Sequence, residues 1–514
     1  MVSSPHAQAT AAGVDVLRRG GNAVDAAIAA NAVVAVVYPA SCGIGGDALW
    51  LVYEPRTSEI VAYNGSGRAP AGLDAEVLRA RGMPTMPVRG ALTVTTPGCV
   101  RSWEDVGRAH GSRGFDELLA PAERYARDGF VVTDVGAQLF NSNQELLRAD
   151  PDAAALFANG GLPQPGDVVR NVALAETLAA MRRAGAQAFY GGRIGAAICE
   201  TLNALGNPMT LEDLDAQTTE RMRPVSVAWN GAEIVAHPPN SQGAVTPIVL
   251  GMLRDDGMAS NAAWTHLAIE AIKLAFDARD ARFGDPAAMA RPIDDLLRAA
   301  ALARLRAHID PERVHARNAA MPGGDTIAIV AVDGDGRAVS LIQSLFMNFG
   351  SGVVARGTGV FLHNRGAYFR LDDRHPNALR GRMRPLHTLS PGMLLRDGRP
   401  ELVYGTMGGD GQPQTHVQII HAIYDRGLDV QRALDAPRFV YGRDSESAFA
   451  DAVRVEASLD PEIVAHLRAR GHTVEVLPDY DHAFGHAAVI SIDRARGTLA
   501  GGSDPRADSL ALGL

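Results

Sequence analysis

Lysine is the residue that this sequence most clearly lacks, since Lys273 is the only one among 514 residues, whereas arginine is abundant. A phosphate-binding loop of the Walker type needs a lysine after its glycines, so the sequence excludes that class of nucleotide site. A Schiff-base mechanism would depend on Lys273 alone. This residue lies in a stretch with helical spacing, 268–279, and we interpret it as an ordinary helix residue.

Cysteines, long apolar runs and basic clusters are also scarce. Cys42, Cys99 and Cys199 form no CxxC pair, which excludes a disulfide scaffold or zinc ribbon and favours a reducing compartment. No 18-residue apolar span occurs, and residues 1–6 lack the charged start and apolar run of a signal peptide. The net charge is −9, without basic patches interleaved with aromatics. We therefore expect a cytoplasmic protein that binds neither membrane nor nucleic acid.

A predicted β-hairpin begins at Thr326. Two apolar, β-branched runs flank an Asp-Gly turn, which is typical of a tight hairpin. If the loop is Gly334-Asp335, Thr326 lies opposite Gln343 and Ser344 is one step further along. We therefore expect Thr326 and Ser344 to be neighbours.

The start of this hairpin has two interpretations. In the first, Thr326 is simply a β-branched residue that begins a strand after a turn. In the second, the chain cuts its own Asp325–Thr326 peptide bond, and the glycines Gly323-Gly324 let the backbone bend for the attack. The cut would free the α-amine of Thr326 to act as the base for its own hydroxyl.

The remaining patterns divide the chain into a helix-rich part and a strand-rich part. Residues 7–19 and 23–37 predict helices, the second apolar almost all round and therefore buried. From about 101 to 320 the pattern is largely helical, with a strand-like interruption at 225–237. Strands dominate after Thr326.

Two loops in the strand-rich part attract chemical interpretations. Residues 405–410 (GTMGGD) precede a predicted helix, so their N–H groups are suited to hold a developing oxyanion. Asp479, Asp481, His482 and His486 are close in sequence, as metal ligands would be. Pro478 and Gly485 argue against a helix there, so we favour a loop at the rim of a pocket over a metal site.

Several segments together resemble the γ-glutamyltransferase family of N-terminal nucleophile (Ntn) hydrolases, and the resemblance runs nearly end to end. The segments are residues 11–27 (AAGVDVLRRGGNAVDAA), 43–46 (GIGG), 349–352 (FGSG), 384–386 (RPL), 435–439 (DAPRF) and 502–506 (GSDPR).

The resemblance implies a mixed α/β (α+β) fold, a four-layer αββα sandwich made as one proenzyme unit. It implies self-cleavage into a large, helix-rich subunit, 1–325, and a small, strand-rich subunit, 326–514. Thr326 matches the family's nucleophile, Ser344 a hydroxyl beside it, and Gly408 and Gly409 the oxyanion pair. No metal or cofactor is expected, and two processed units could pair as a homodimer.

The positions that hold glutamate in the family's transpeptidases differ in this sequence. Aligned from the neighbouring motifs, they are Ser66, Phe346, Arg365, Tyr368, His387 and Thr388. The resemblance therefore predicts no acid near Tyr368 to pair with a substrate ammonium, which would be costly to bury unpaired. Arg365, with His387 or Arg68, would favour a carboxylate instead.

The favoured hypothesis is thus a self-processed threonine amidohydrolase that forms an acyl-Thr326 intermediate. Its substrate would be a small carboxylate-bearing amide, as for an oxamate-like amidohydrolase or an acylase, and the acyl acceptor would be water or an amine. Ile327 and Ala328 replace the threonine and histidine of typical transpeptidases, which weakens transfer more than hydrolysis. The alternatives are a true γ-glutamyltransferase or glutathione hydrolase, and an uncut family member that acts as a binding protein.

Overall fold

The structure is a computed structural model that describes residues 1–158, 160–253, 260–317, 324–442 and 451–514 as one uncut chain. Gly323, which we placed beside the predicted cut, lies outside the described residues. Among the helices in these ranges, none combines the length and apolar character that a membrane crossing requires.

The strands of the described residues alternate with helices in the first part of the chain and dominate the second. In chain order they are β1 (Val2–Ser4), β2 (Asp47–Glu54), β3 (Glu59–Gly65), β4 (Phe130–Val131), β5 (Val168–Val169), β6 (Glu220–Met222), β7 (Val225–Trp229), β8 (Ala232–Ala236), β9 (Asp325–Val332), β10 (Ala338–Phe346), β11 (Val354–Ala355), β12 (Val360–Phe361), β13 (Gly392–Arg396), β14 (Arg399–Thr406), β15 (Phe439–Tyr441), β16 (Ala452–Glu456), β17 (Thr473–Leu477), β18 (Ala487–Asp493), β19 (Thr498–Ser503) and β20 (Leu510–Leu512).

Most helices precede Thr326. In chain order they are α1 (Ala7–Arg18), α2 (Ala23–Val37), α3 (Ala75–Ala80), α4 (Cys99–His110), α5 (Phe115–Leu118), α6 (Ala120–Asp128), α7 (Asp134–Ser142), α8 (Gln144–Ala149), α9 (Pro151–Phe157), α10 (Val172–Ala184), α11 (Gln187–Tyr190), α12 (Gly192–Ala204), α13 (Leu211–Asp215), α14 (Val245–Leu253), α15 (Asn261–Arg282), α16 (Asp294–Leu297), α17 (Ala299–Arg306), α18 (Gln412–Tyr424), α19 (Val430–Asp435) and α20 (Pro461–Ala469).

Two large sheets form the middle of the molecule. One has seven strands in the order β20-β1-β9-β10-β2-β3-β6, and the other has six in the order β19-β18-β14-β13-β8-β7. Residues on both sides of the Asp325–Thr326 bond supply strands to both sheets. The two predicted subunits are therefore interleaved in one unit.

Strand alternation builds the layers. On β9, Ala328 and Val330 face the second sheet, where they pack with Met393 and Val403, while Ile329 faces the helices of the first sheet. Helices α1 and α2 cover that outer face, and α14, α15 and α18 cover the outer face of the second sheet. The predicted four-layer αββα sandwich is confirmed.

The packing explains why α2 is apolar all round. All fifteen of its residues are buried, because the helix lies between the first sheet and the outer helices. Asn22 begins it by accepting hydrogen bonds from the N–H groups of Val24 and Asp25, and the Asp25 carboxylate accepts one from the Asn22 N–H. Helix and sheet thereby fix the position of the loop that follows, which carries Ser41.

The predicted register of the Thr326 hairpin is wrong by one residue. Val332 pairs with Ala338, and the Asp333 N–H donates to the Arg337 carbonyl, so the loop is one residue longer than predicted. Gly336 takes a φ of +86° in this loop, as a glycine readily does. The longer loop places Gln343 opposite Ile327, and an irregularity follows before Phe346 pairs with Asp325.

Candidate active site

The Asp325–Thr326 peptide bond lies at the buried start of β9, and two hydroxyls converge on its carbonyl oxygen. Ser344 Oγ donates to the Asp325 oxygen at 2.5 Å, and Thr326 Oγ1 donates to the same oxygen at 2.6 Å. All three residues are almost inaccessible to solvent. The expected proximity of Thr326 and Ser344 is therefore present in the geometry, and the Phe346 N–H holds Ser344 Oγ at 2.6 Å.

A glutamine that sequence reasoning missed also contacts the threonine. Gln412 Nε2 lies 3.4 Å from Thr326 Oγ1, and its Oε1 accepts from the Ser390 N–H at 2.9 Å. Gln412 is the first residue of α18, directly after the glycine loop. The only available signal was that position, since glutamine has no charge to make it conspicuous.

In the predicted oxyanion pair, Gly409 lies next to Gly324, the residue just before Asp325. Gly408 and Gly409 have φ of +118° and +53°, and a Cβ on Gly409 would meet Gly324 nitrogen at 2.9 Å and Gly324 Cα at 3.0 Å. Within the described ranges, the N–H groups of Gly408 and Gly409 donate to no protein acceptor. Gln242 Nε2 anchors the loop through the Gly409 carbonyl at 2.8 Å.

The Asp325 side chain is bound in a polar niche of its own. Its Oδ1 accepts from the Thr326 N–H at 2.7 Å and lies 3.5 Å from His482 Nε2, while Ser41 Oγ donates to its Oδ2. Burial would raise the pKa of Asp325, but His482, His486 and Ser41 outweigh burial and lower it. Sequence reasoning placed His482 in a rim loop without connecting it to Asp325.

Arg365 is a buried cation with unused hydrogen-bond donors. Its Nη1 donates to Thr388 Oγ1 at 3.0 Å, but its Nε and Nη2 have no partner among the described residues. The guanidinium lies 4.2 Å from the ring centroid of Phe346, the residue that pairs with Asp325. Burial lowers the pKa of Arg365 to about 10, which keeps it charged at neutral pH.

The prediction that no acid lies near Tyr368 is wrong. The Tyr368 hydroxyl donates to Asp410 Oδ1 at 2.8 Å, because the loop after the two glycines carries Asp410 to this point. The acid is already paired, however, since Arg279 Nη1 binds Asp410 Oδ1 at 2.6 Å and Nη2 binds Oδ2 at 3.2 Å. Its negative charge is therefore largely compensated before any substrate ammonium arrives.

His387 is fully occupied within the protein. Its Nδ1 accepts from the Leu389 N–H, so its Nε2 carries the proton and donates to Asp47 Oδ2 at 3.1 Å. Burial lowers the pKa of His387 to about 3, and the ring is neutral. Thr388, the next residue, presents its hydroxyl to Arg365 and its carbonyl to Gln242.

Ser66 and Arg68 also have other partners in the uncut chain. Ser66 Oγ donates to Asn64 Oδ1 at 2.6 Å, and Arg68 bridges Glu220 and Asp285 at 2.6 and 3.2 Å. These contacts hold the loop after β3. We therefore leave Ser66, Arg68 and His387 out of the proposed substrate site.

One buried cluster has residue types that metals bind. The ligand atoms of His266, Glu270 and His472 lie within 4.8 Å of one another. His266 and His472 are already hydrogen-bonded to each other at 2.8 Å, and Lys273 Nζ lies 3.1 Å from Glu270. We interpret the cluster as a structural network, in which Lys273 is the helix residue that the sequence analysis expected.

The comparisons with known proteins cover the whole chain. A family model described as gamma-glutamyltranspeptidase matches residues 9–514. The chain is 38% identical to a glutathione hydrolase-like YwrD proenzyme of Bacillus subtilis (100% of this chain, 98% of the relative) and 37% identical to an oxamate amidohydrolase proenzyme of Klebsiella pneumoniae (100% and 98%). The crystal structure of a cephalosporin acylase from Bacillus halodurans superposes with a TM-score of 0.92 at 35% identity, covering 99% of this chain and 94% of the acylase.

Proposed function

Because the chain belongs to the gamma-glutamyltranspeptidase family and is an autoprocessed Ntn-type amidohydrolase, we propose that Thr326 is the residue freed by the cut and the nucleophile of the mature enzyme. The cut would give fragments 1–325 and 326–514. We further propose that the substrate is a small amide whose acyl part carries a carboxylate but lacks the α-amine of glutamate.

The state of Arg365 is the observation that carries the substrate proposal. A buried guanidinium with two unpartnered nitrogens is expensive to keep, and a carboxylate is the group that satisfies such a fork. Phe346 connects this cation to the scissile segment, since its ring lies under Arg365 and its backbone pairs with Asp325. A substrate carboxylate on Arg365 would therefore lie near the bond that Thr326 attacks.

The compensation of Asp410 supports the absence of an α-amine. A γ-glutamyl ammonium in this site would meet an acid already held by Arg279, with the positive Arg365 nearby. It would lose its hydration without gaining an unpaired counter-charge. The oxamate amidohydrolase and the acylase among the similar proteins are named for substrates other than glutathione, which agrees with this proposal.

The proposed chemistry uses the groups around Thr326. The freed α-amine, with a pKa of about 8, takes the hydroxyl proton as Oγ1 attacks the substrate carbonyl. The N–H groups of Gly408 and Gly409 stabilise the oxyanion, and Gln412 and Ser344 orient the hydroxyl. Water then hydrolyses the acyl-Thr326 ester. Ile327 and Ala328, which stand where typical transpeptidases have a threonine and a histidine, favour this over transfer to an amine.

Three anilides with equal acyl chain length test the substrate proposal. Glutaryl anilide has the carboxylate alone, γ-glutamyl anilide has the carboxylate and the α-amine, and valeryl anilide has neither. We expect the highest kcat/KM for the glutaryl compound, with oxamate tested in parallel by ammonia release. A preference for γ-glutamyl anilide would support a true γ-glutamyltransferase, and equal turnover of the valeryl compound would exclude Arg365 as a carboxylate site.

A purified chain that stays whole and turns over none of these amides would instead support the alternative of a non-catalytic binding member of the family. Two further predictions belong to this proposal. Pairing of two processed units is a prediction that sedimentation velocity tests. A cytoplasmic location is a prediction from the composition, and cell fractionation tests it.

A further inference from the structure

Self-cleavage at Thr326 needs a proton donor as well as a nucleophile. When Thr326 Oγ1 bonds to the Asp325 carbonyl carbon, the bond from that carbon to the Thr326 nitrogen must break. The hydroxyl loses a proton, and the nitrogen must gain one to leave as an amine. The uncut chain therefore needs a proton donor beside the Thr326 nitrogen before any free α-amine exists.

Asp325 Oδ1 is the titratable oxygen in contact with that nitrogen, at 2.7 Å. The same oxygen lies 3.5 Å from His482 Nε2, and Ser41 fixes the other carboxylate oxygen. Resting on the proposed role of Thr326, we propose that the Asp325 carboxyl delivers the proton to the leaving Thr326 nitrogen and that His482 supplies this proton to the carboxyl. Asp325 is then a catalytic residue of self-cleavage, and His482 positions its carboxylate and protonates it.

The surroundings of His482 favour its protonated form. Its Nδ1 lies 2.8 Å from His486 Nε2, so both ring protons of an imidazolium have an acceptor, one in His486 and one in Asp325. Burial opposes the charge, but Asp325 and Asp481 outweigh it and raise the pKa of His482. His486, which Arg438 and Arg506 also face, has its pKa lowered by burial and accepts as a neutral ring.

The other groups that face this niche do not compete for the role. Tyr38 and Cys42 come from the end of α2 and the loop after it, and burial together with Asp325 raises the pKa of each, so both stay neutral. His482 also keeps 32% of its side chain exposed, which lets it take a replacement proton from water. The Thr326 hydroxyl gives up one proton, first toward the Asp325 carbonyl oxygen to which it is hydrogen-bonded, and the nitrogen gains one, so the shift to the ester consumes no net proton. Water then hydrolyses the ester.

Self-cleavage of freshly made chain tests this inference directly. Cell-free synthesis yields full-length chain, and after synthesis is stopped the cut is followed on denaturing gels across a range of pH. We expect Asp325→Asn, which keeps the size and the acceptor for the Thr326 N–H, to slow cutting by about 100-fold. His482→Ala should slow it similarly, and added imidazole should restore it. The matched control, His308→Gln, changes an exposed histidine and should cut like wild type.

The pH profile separates proton supply from support of the fold. The wild-type rate should fall as the pH rises above the raised pKa of His482, and this fall should be absent in His482→Ala. If His482→Ala does not fold, by circular dichroism, Asp325→Asn decides alone. The inference is overturned if Asp325→Asn cuts within about twofold of wild type with an unchanged profile, or if folded His482→Ala does not respond to imidazole.

Thr326→Ala separates failure of the proposed nucleophile from failure of the proposed proton route. If Thr326→Ala is still cut at residue 325, the proposed function itself fails. If Thr326→Ala stays whole while Asp325→Asn cuts at the wild-type rate, the nucleophile stands and only the proton route is wrong.

Discussion

Replacing Arg365 with methionine should lower activity and raise stability at the same time. Methionine fills a similar volume over the Phe346 ring, but it offers a substrate carboxylate neither of the two free donors, Nε and Nη2. A hydrogen bond to a charged group contributes about 1.5–3 kcal/mol, and losing both gives about 3 kcal/mol at the lower value. This corresponds to a decrease of about 150-fold in kcat/KM for glutaryl anilide.

The stability effect has the opposite sign, because the uncut chain keeps this guanidinium buried without full pairing. Removing it should raise the free energy of unfolding by about 1–3 kcal/mol, less whatever the Thr388 contact and the Phe346 ring contribute. The free energy of unfolding is compared with and without Arg365→Met in the uncut Thr326→Ala chain. The kcat/KM for glutaryl anilide is compared between processed wild type and processed Arg365→Met. A structural arginine would behave differently. If Arg365→Met unfolds at a lower temperature than its parent and keeps its kcat/KM for glutaryl anilide, the carboxylate assignment is refuted.

Three further perturbations follow from the geometry. Ser344→Ala removes one of two donors to the Asp325 carbonyl and should slow self-cleavage by about 10–100-fold on gels, whereas wild-type speed would contradict the contact. Gly409→Ala places a Cβ at a φ of +53° and 3.0 Å from Gly324 Cα, so thermal unfolding should show a loss of at least about 1–2 kcal/mol; an unchanged melting temperature would contradict this packing. Burial raises the pKa of Asp47, but His363, His387 and Arg365 outweigh burial and lower it. The ionised Asp47 therefore stabilises the folded protein above the unfolded pKa of about 3.9, and this contribution is lost as the pH falls through the lower folded pKa. The stability difference between wild type and Asp47→Asn should therefore shrink between pH 7 and pH 3, and a constant difference would show that Asp47 does not titrate with folding.

Local periodicity was sufficient to predict the framework. The helix at 23–37 was predicted to the residue, because it is apolar all round and begins after a capping asparagine. The hairpin loop was predicted one residue too short, since an Asp-Gly pair is compatible with two-residue and longer loops and only packing selects between them.

The site was predictable where the residues follow one another along the chain, and not where contacts join distant segments. Thr326 and Ser344 share one hairpin, so the pattern itself brings them together. The pair of Arg279 with Asp410 spans 131 residues, and that of His482 with Asp325 spans more than 150. No spacing rule connects such residues, which is why an acid at Tyr368 was missed and His387 was assigned to substrate although Asp47 binds it.

The central claim is that the chain cuts itself before Thr326 and uses the freed residue as its nucleophile. Intact-mass analysis with N-terminal sequencing of the purified protein tests it most directly. We predict two fragments for wild type, the smaller one beginning Thr-Ile-Ala-Ile at residue 326, and a single uncut chain for Thr326→Ala. A small fragment that begins at any other residue, or a Thr326→Ala chain cut at the same bond, would contradict the account.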